Sequence, residues 1–138
     1  IACAYRIMVS EKAKISLNEI TFGSSVFAGS VEMLKFCAGS GNAQTILYSG
    51  AMYSANQAMN MGLVDKVSSI DNLMSEAEKT ALDFAKTDNT AFTSIKRLLR
   101  RPPAEDMAKR EKESIQEFVD IWYSEKTWEK LKKIKIYS

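Results

Sequence analysis

The stretch that organises the chain is Lys14-Ile15-Ser16-Leu17-Asn18-Glu19-Ile20-Thr21-Phe22-Gly23. Its first four residues alternate between polar and apolar side chains, which predicts a short strand. From Gly23 the chain turns into a helix, so Glu19 stands at the end of a strand and just before a helix N-terminus. A carboxylate in this position is usually solvated, but in apolar surroundings it can move a proton.

The length and charge indicate one ordinary globular domain. The 138 residues suffice to bury about two thirds of the unfolded surface. With 19 basic and 17 acidic residues the net charge is +2, which is too balanced to predict a nucleic-acid partner. No apolar run is long enough to span a bilayer. A basic cluster near the C-terminus is interpreted as a solvated helix face or as a contact for an anionic ligand: Lys126, Lys130, Lys132, Lys133 and Lys135.

Histidine is absent and cysteine is scarce. Without histidine these residues cannot build Ser-His-Asp or Cys-His catalysis, or a His-ligated zinc site. Cys3 and Cys37 form no CxxC motif and therefore predict no metal site and no redox motif. They indicate small buried side chains in a reducing compartment, the cytoplasm. Acid–base chemistry would then fall to carboxylates, lysine or tyrosine.

Periodicity predicts three short strands and about seven helices. The strands are expected at residues 5–9, 14–17 and 63–67, and the first two are joined by a polar turn. Gly39 and Gly41 are expected to separate the first two helices, and Pro102-Pro103 to separate two later ones.

Two helix starts have capping signals. Ser54 with Gln57 matches a capping box, and Ser124 is expected to cap the last helix.

The start of the chain suggests that residues precede it. Ile1 begins an apolar stretch, where a natural N-terminus seldom falls. The first predicted strand would also have an uncovered edge. Both features predict that this sequence is part of a longer chain.

Several segments together resemble the crotonase (enoyl-CoA hydratase/isomerase) superfamily, and they cover essentially the whole chain. They are Cys3-Ala4-Tyr5-Arg6-Ile7, Leu17-Asn18-Glu19 followed by Gly23, Tyr48-Ser49-Gly50, and Ser54-Ala55 followed by Ala58 and Gly62-Leu63-Val64-Asp65-Lys66-Val67.

The resemblance implies an α/β fold, the crotonase-like ββα spiral, of which only the C-terminal, mostly helical part is present. Residues 1–70 would form the C-terminal part of the core. Residues 71–138 would form a helical region for trimerisation or a lid. The backbone donors of the family's oxyanion hole would lie upstream of Ile1.

The resemblance also implies a chemistry. Leu17-Asn18-Glu19 is similar to the Δ3,Δ2-enoyl-CoA isomerases, in which one glutamate carries the proton, whereas hydratases usually have proline before this glutamate. Glu19 is therefore the implied catalytic residue, and the substrate is an acyl-CoA thioester. Beyond the coenzyme A of the substrate, the resemblance implies no cofactor and no metal. Phe22, Val26 and Phe27 are candidates to line the acyl pocket or to belong to the core.

Two departures from the family pattern weaken the hydratase assignment more than the isomerase one. Ala4 stands where the family usually has Asp, and residues 23–29 lack the proline and paired glycines of typical hydratases. Hydration, dehydration or other acyl-thioester chemistry remains an alternative, as does a non-catalytic oligomerisation module. The resemblance implies a homotrimer or hexamer. We expect no turnover of enoyl-CoA by the isolated 138 residues.

Overall fold

The computed structural model describes residues 3–134. Within them the chain forms four short strands, a 3-10 helix at Glu19–Phe22 and five α-helices. In chain order the elements are β1 (Ile7–Val9), β2 (Lys14–Ile15), α1 (Ala28–Ser49), β3 (Tyr53–Ser54), α2 (Ala55–Asn60), β4 (Lys66–Ser68), α3 (Leu73–Ala85), α4 (Asn89–Trp122) and α5 (Glu125–Leu131). The predicted character, mostly helical with a few short strands, is confirmed. No helix in this part of the chain is long and apolar enough to cross a membrane.

The strands form two separate pairs. β1 lies parallel to β4, with Ile7 opposite Lys66, and β2 lies antiparallel to β3, with Ile15 opposite Tyr53. The sequence did not predict β3, because two residues are too few to show an alternating pattern.

Two side-chain hydrogen bonds connect the residue before β1 with the residue before β4. Arg6 donates from Nε and Nη2 to the two carboxylate oxygens of Asp65, at 2.8 and 2.9 Å. The hydrogen bond from the Arg6 side chain holds the pKa of Asp65 below its ordinary value, although partial burial opposes the shift.

The core lies where α1, α2 and the two strand pairs meet. Its buried members are Leu34, Ala43, Ile46, Tyr53, Ala58, Leu63 and Val64. α1 is interrupted at Gly39, which has φ 76° and ψ 159°, so the predicted helix break is a kink within one long element. At the end of α1, Gly50 has φ 57°, and a Cβ there would lie 2.7 Å from the Thr21 side chain. Glycine at this position therefore lets α1 pack closely on the 3-10 helix.

The prediction that Pro102-Pro103 ends a helix was wrong. α4 runs without interruption from Asn89 to Trp122 and contains both prolines. The two carbonyls that lose their helical donors belong to Leu98 and Leu99, four residues earlier. Both residues are exposed, so water can reach these carbonyls and the helix can continue. Together with the joined α1, this accounts for five helices where seven were expected.

Candidate active site

Glu19 is the first residue of the 3-10 helix, and local hydrogen bonds fix its backbone. The Thr21 amide and hydroxyl both donate to the Asn18 carbonyl, at 2.9 and 2.7 Å. The Ser24 amide donates to the Glu19 carbonyl at 2.9 Å, and Gly23 adopts the left-handed conformation that closes the turn. The prediction that the strand reaches Glu19 was wrong, because β2 ends at Ile15 and Glu19 begins the 3-10 helix. The predicted turn at Gly23 is present, and α1 follows it from Ala28.

The Glu19 side chain lies against a cavity of about 470 Å³ between the 3-10 helix and α1. Six of the thirteen lining residues are aliphatic: Leu17, Ile20, Val26, Val31, Ala43 and Leu47. Glu19 Oε2 is buried and accepts no hydrogen bond from any residue between 3 and 134. A buried polar atom without a partner is uncommon and costs free energy. This oxygen is therefore available to a group that a ligand brings.

The three candidate pocket residues separate into two groups. Val26 lines the Glu19 cavity. Phe22 and Phe27 are not among its lining residues and contact α4 instead. The Phe22 ring meets Trp122 edge-on at 6.0 Å between centroids, and the Phe27 ring lies 4.4 Å from that of Phe118. Both rings attach the segment after Glu19 to α4.

A buried carboxylate next to the cavity was not predicted. The Glu32 side chain, on α1, is 8% exposed and accepts hydrogen bonds from Arg110 of α4 and from Lys35 at 3.0 Å. Burial alone would raise the pKa of Glu32, but these two hydrogen bonds outweigh it and lower the pKa below its ordinary value. Lys35 also lines the Glu19 cavity. The spacing of Glu32 and Lys35, three residues on one helix, was the signal available in the sequence.

The last helix also contacts the Glu19 turn. The Thr127 side chain is fully buried and donates from Oγ1 to the Gly23 carbonyl at 2.9 Å. Ser124 caps α5 as predicted, because its hydroxyl accepts from the Thr127 amide. Thr127 thus takes part both in the cap of α5 and in the support of the turn after Glu19.

None of the described lysines of the basic cluster predicted at the C-terminus lines the Glu19 cavity. Lys126 and Lys130 line an open groove of about 1250 Å³ between α4 and α5, and Glu19 is not among its lining residues. Glu113, Glu117 and Asp120 line the same groove, so its charge is mixed. Lys132 and Lys133 are exposed, and Lys135 lies outside the described residues. Between residues 3 and 134 no three acidic or cysteine side chains gather to hold a metal ion.

Comparison with known proteins gives consistent matches. Residues 1–133 match the family model described as enoyl-CoA hydratase/isomerase. The short-chain-enoyl-CoA hydratase of Clostridioides difficile is 32% identical over 99 residues, which are 72% of this chain and 63% of that protein. The mitochondrial enoyl-CoA delta isomerase 1 of Mus musculus is 26% identical over 122 residues, which are 88% of this chain and 42% of that protein. The chain thus spans less than two thirds of the length of either relative.

Structural similarity agrees with the sequence matches. The human mitochondrial delta3-delta2-enoyl-CoA isomerase matches with a TM-score of 0.86 and 22% identity, over 94% of this chain and 51% of that one. An enoyl-CoA hydratase/isomerase from Pseudoalteromonas atlantica matches with a TM-score of 0.83 and 22% identity, over 99% and 56%. At this identity the agreement concerns the fold.

Proposed function

The chain belongs to the enoyl-CoA hydratase/isomerase family, and from this we propose that the protein moves the double bond of a 3-enoyl-CoA to the 2-position, with Glu19 as the single proton carrier. The observation that carries the proposal is Glu19 Oε2, which is buried beside a largely apolar cavity without a donor among residues 3–134. An oxygen that none of these residues engages can accept a substrate proton.

The reaction needs one proton to leave C2 and one to arrive at C4. Glu19 takes the C2 proton, and the electron pair delocalises over the dienolate to the thioester oxygen. The protonated Glu19 then returns the proton to C4, and the double bond forms between C2 and C3. One carboxylate can serve both steps because C2 and C4 lie on the same face of a planar dienolate. Backbone N–H donors to the thioester oxygen would stabilise the dienolate.

The residues around Glu19 favour isomerisation over hydration. Asn18 precedes Glu19, as in the isomerase pattern, whereas hydratases usually have proline at this position. Hydration of a 2-enoyl-CoA is the second candidate, because the relative from Clostridioides difficile is a hydratase.

The helical region supports a further part of the proposal, assembly into a homotrimer or hexamer. α4 exposes a run of large apolar side chains, with Ile95 58%, Leu98 68% and Leu99 59% exposed. Apolar residues grouped in this way often mark a protein–protein contact. The measurement is the molar mass in solution by sedimentation equilibrium, and a monomer at all concentrations would contradict this part.

The two reactions can be separated by ultraviolet absorbance of the thioester. Isomerisation of a 3-enoyl-CoA creates conjugation with the carbonyl, so the absorbance rises, whereas hydration of a 2-enoyl-CoA removes conjugation, so it falls. We expect the absorbance to rise with the protein as its gene encodes it. Glu19→Gln should slow this rise by about 10²- to 10⁴-fold. Glu78→Gln, on the exposed side of α3, is the matched control and should retain the rate. A Glu19→Gln variant as fast as the control would refute the proposal.

A further inference from the structure

Lys35 is the only cationic residue among the described residues that line the Glu19 cavity. α1 begins at Ala28, and Lys35 follows seven residues later, about 10 Å along the helix axis. The cavity thus combines a carboxylate on the 3-10 helix, an ammonium on α1, and apolar side chains such as Val31 and Leu47. A ligand that fills it would meet a positive charge as well as apolar walls.

The Lys35 ammonium has unused hydrogen-bonding capacity. It donates one hydrogen bond, to Glu32 Oε1 at 3.0 Å, and no other acceptor engages it within residues 3–134. An ammonium carries three N–H donors, so two remain. The side chain is 42% exposed, so a ligand can reach these donors.

The carboxylate that pairs with Lys35 is shared with a second cation. Glu32 Oε1 accepts from both Lys35 and Arg110, and Glu19 is the other charged residue among the described residues that line the cavity. Glu32 would keep Arg110 as a partner if Lys35 turned part of its donor capacity to a ligand. An anion beside Lys35 would therefore meet an ammonium whose one carboxylate partner is shared with Arg110.

We propose that the cavity selects acyl groups that carry a second carboxylate at the end remote from the thioester, and that Lys35 binds this carboxylate. The inference rests on the proposed function only in taking an acyl thioester as the ligand. A carboxylate can accept both remaining N–H groups of the Lys35 ammonium in charge-assisted hydrogen bonds. An acyl chain that ends in a methyl group offers no acceptor. It would displace water from these N–H groups and leave them without a hydrogen bond.

Binding tests the inference without requiring turnover. Three saturated acyl-CoA thioesters of equal chain length, ending in methyl, carboxamide or carboxylate, are titrated into the encoded protein by calorimetry. We expect the carboxylate thioester to bind about tenfold more tightly than the other two, the size expected of a charge-assisted hydrogen bond at a half-exposed side chain. Lys35→Met should abolish this preference, and Lys35→Arg should retain it. Lys79→Met, on α3, is the control and should bind like the wild type.

The remaining outcomes each contradict the inference. A preference that survives in Lys35→Met would place the carboxylate elsewhere, and equal affinity for carboxamide and carboxylate would mean that charge is not recognised. Tightest binding of the methyl thioester would show that the cavity takes apolar chains. Saturated thioesters have no double bond to move, so these results are independent of whether Glu19→Gln loses isomerase activity.

Discussion

Residues 28–68 and the helices α3 to α5 differ sharply in what they bury. Every buried apolar side chain among residues 3–134 lies between Ala28 and Val64. α3 and α4 contain no buried residue, and Thr127 is the buried residue of α5. Apolar burial is the dominant stabilising term in folding. The first region therefore supplies most of the stability, and α4 and α5 contact the segment after Glu19 through a few specific side chains.

Two leucines test this difference with the same substitution. Leu34 is fully buried on α1, and Leu98 is 68% exposed on α4. Leu34→Ala should lower the free energy of unfolding by about 2–5 kcal/mol, because it removes buried methyl groups and leaves a cavity. Leu98→Ala should change it by less than about 0.5 kcal/mol. Urea denaturation followed by circular dichroism measures both, and similar losses at the two sites would show that the regions do not differ in this way.

The ion pair between Glu32 and Arg110 connects the two regions. Arg110→Met should cost about 1–2 kcal/mol at neutral pH, because the buried carboxylate keeps only Lys35 as a partner and Arg110 itself is half-exposed. Lys112→Met, an exposed lysine on the same helix, serves as the control and should have little effect.

The same pair predicts a pH dependence. The hydrogen bonds from Arg110 and Lys35 hold the pKa of Glu32 below its ordinary value of 4.5 despite burial. The ionised carboxylate therefore contributes its full stabilisation of the fold above pH 4.5. This stabilisation is lost as the pH falls through the lower pKa of the folded state. The difference in stability between wild type and Arg110→Met should therefore shrink as the pH falls below 4.5. A difference that stays constant down to acid denaturation would mean that the Glu32 charge does not carry the effect.

Thr127 is a smaller test of the same connection. Thr127→Val keeps the shape of the side chain and removes the donor to the Gly23 carbonyl, so we expect a loss of about 1 kcal/mol. Thr93→Val, at an exposed position of α4, should change the stability by less than about 0.5 kcal/mol. If the two substitutions lowered the free energy of unfolding equally, α5 would have no specific role in supporting the Glu19 turn.

The features that could be predicted from the sequence have local causes. The kink at Gly39 follows from the conformational freedom of glycine, and the cap at Ser124 from one side chain and the next few amides. The continuity of α4 through Pro102-Pro103 depends on which carbonyls face water, which only the packed structure decides. The fold class could be predicted because the motifs that resemble the family run along most of the chain.

The candidate site shows the same division. The turn at Gly23 could be predicted, but the pairing of Glu32 with Arg110 joins residues 78 positions apart and leaves no periodic signal. Val26 and Phe27 are neighbours in the sequence, yet Val26 lines the cavity and Phe27 packs on α4. Adjacent side chains of an extended segment point to opposite sides, and the pattern alone does not say which side faces the cavity.

The most direct test of the central claim follows an isotope from C2 to C4. The encoded protein is given a 3-enoyl-CoA that carries deuterium at C2, and the 2-enoyl-CoA product is examined by NMR. Because Glu19 Oε2 is buried, we predict that part of the deuterium appears at C4, and that Glu19→Gln forms product at least about 100-fold more slowly. Product formed by Glu19→Gln at the wild-type rate would contradict the assignment of Glu19 as the proton carrier.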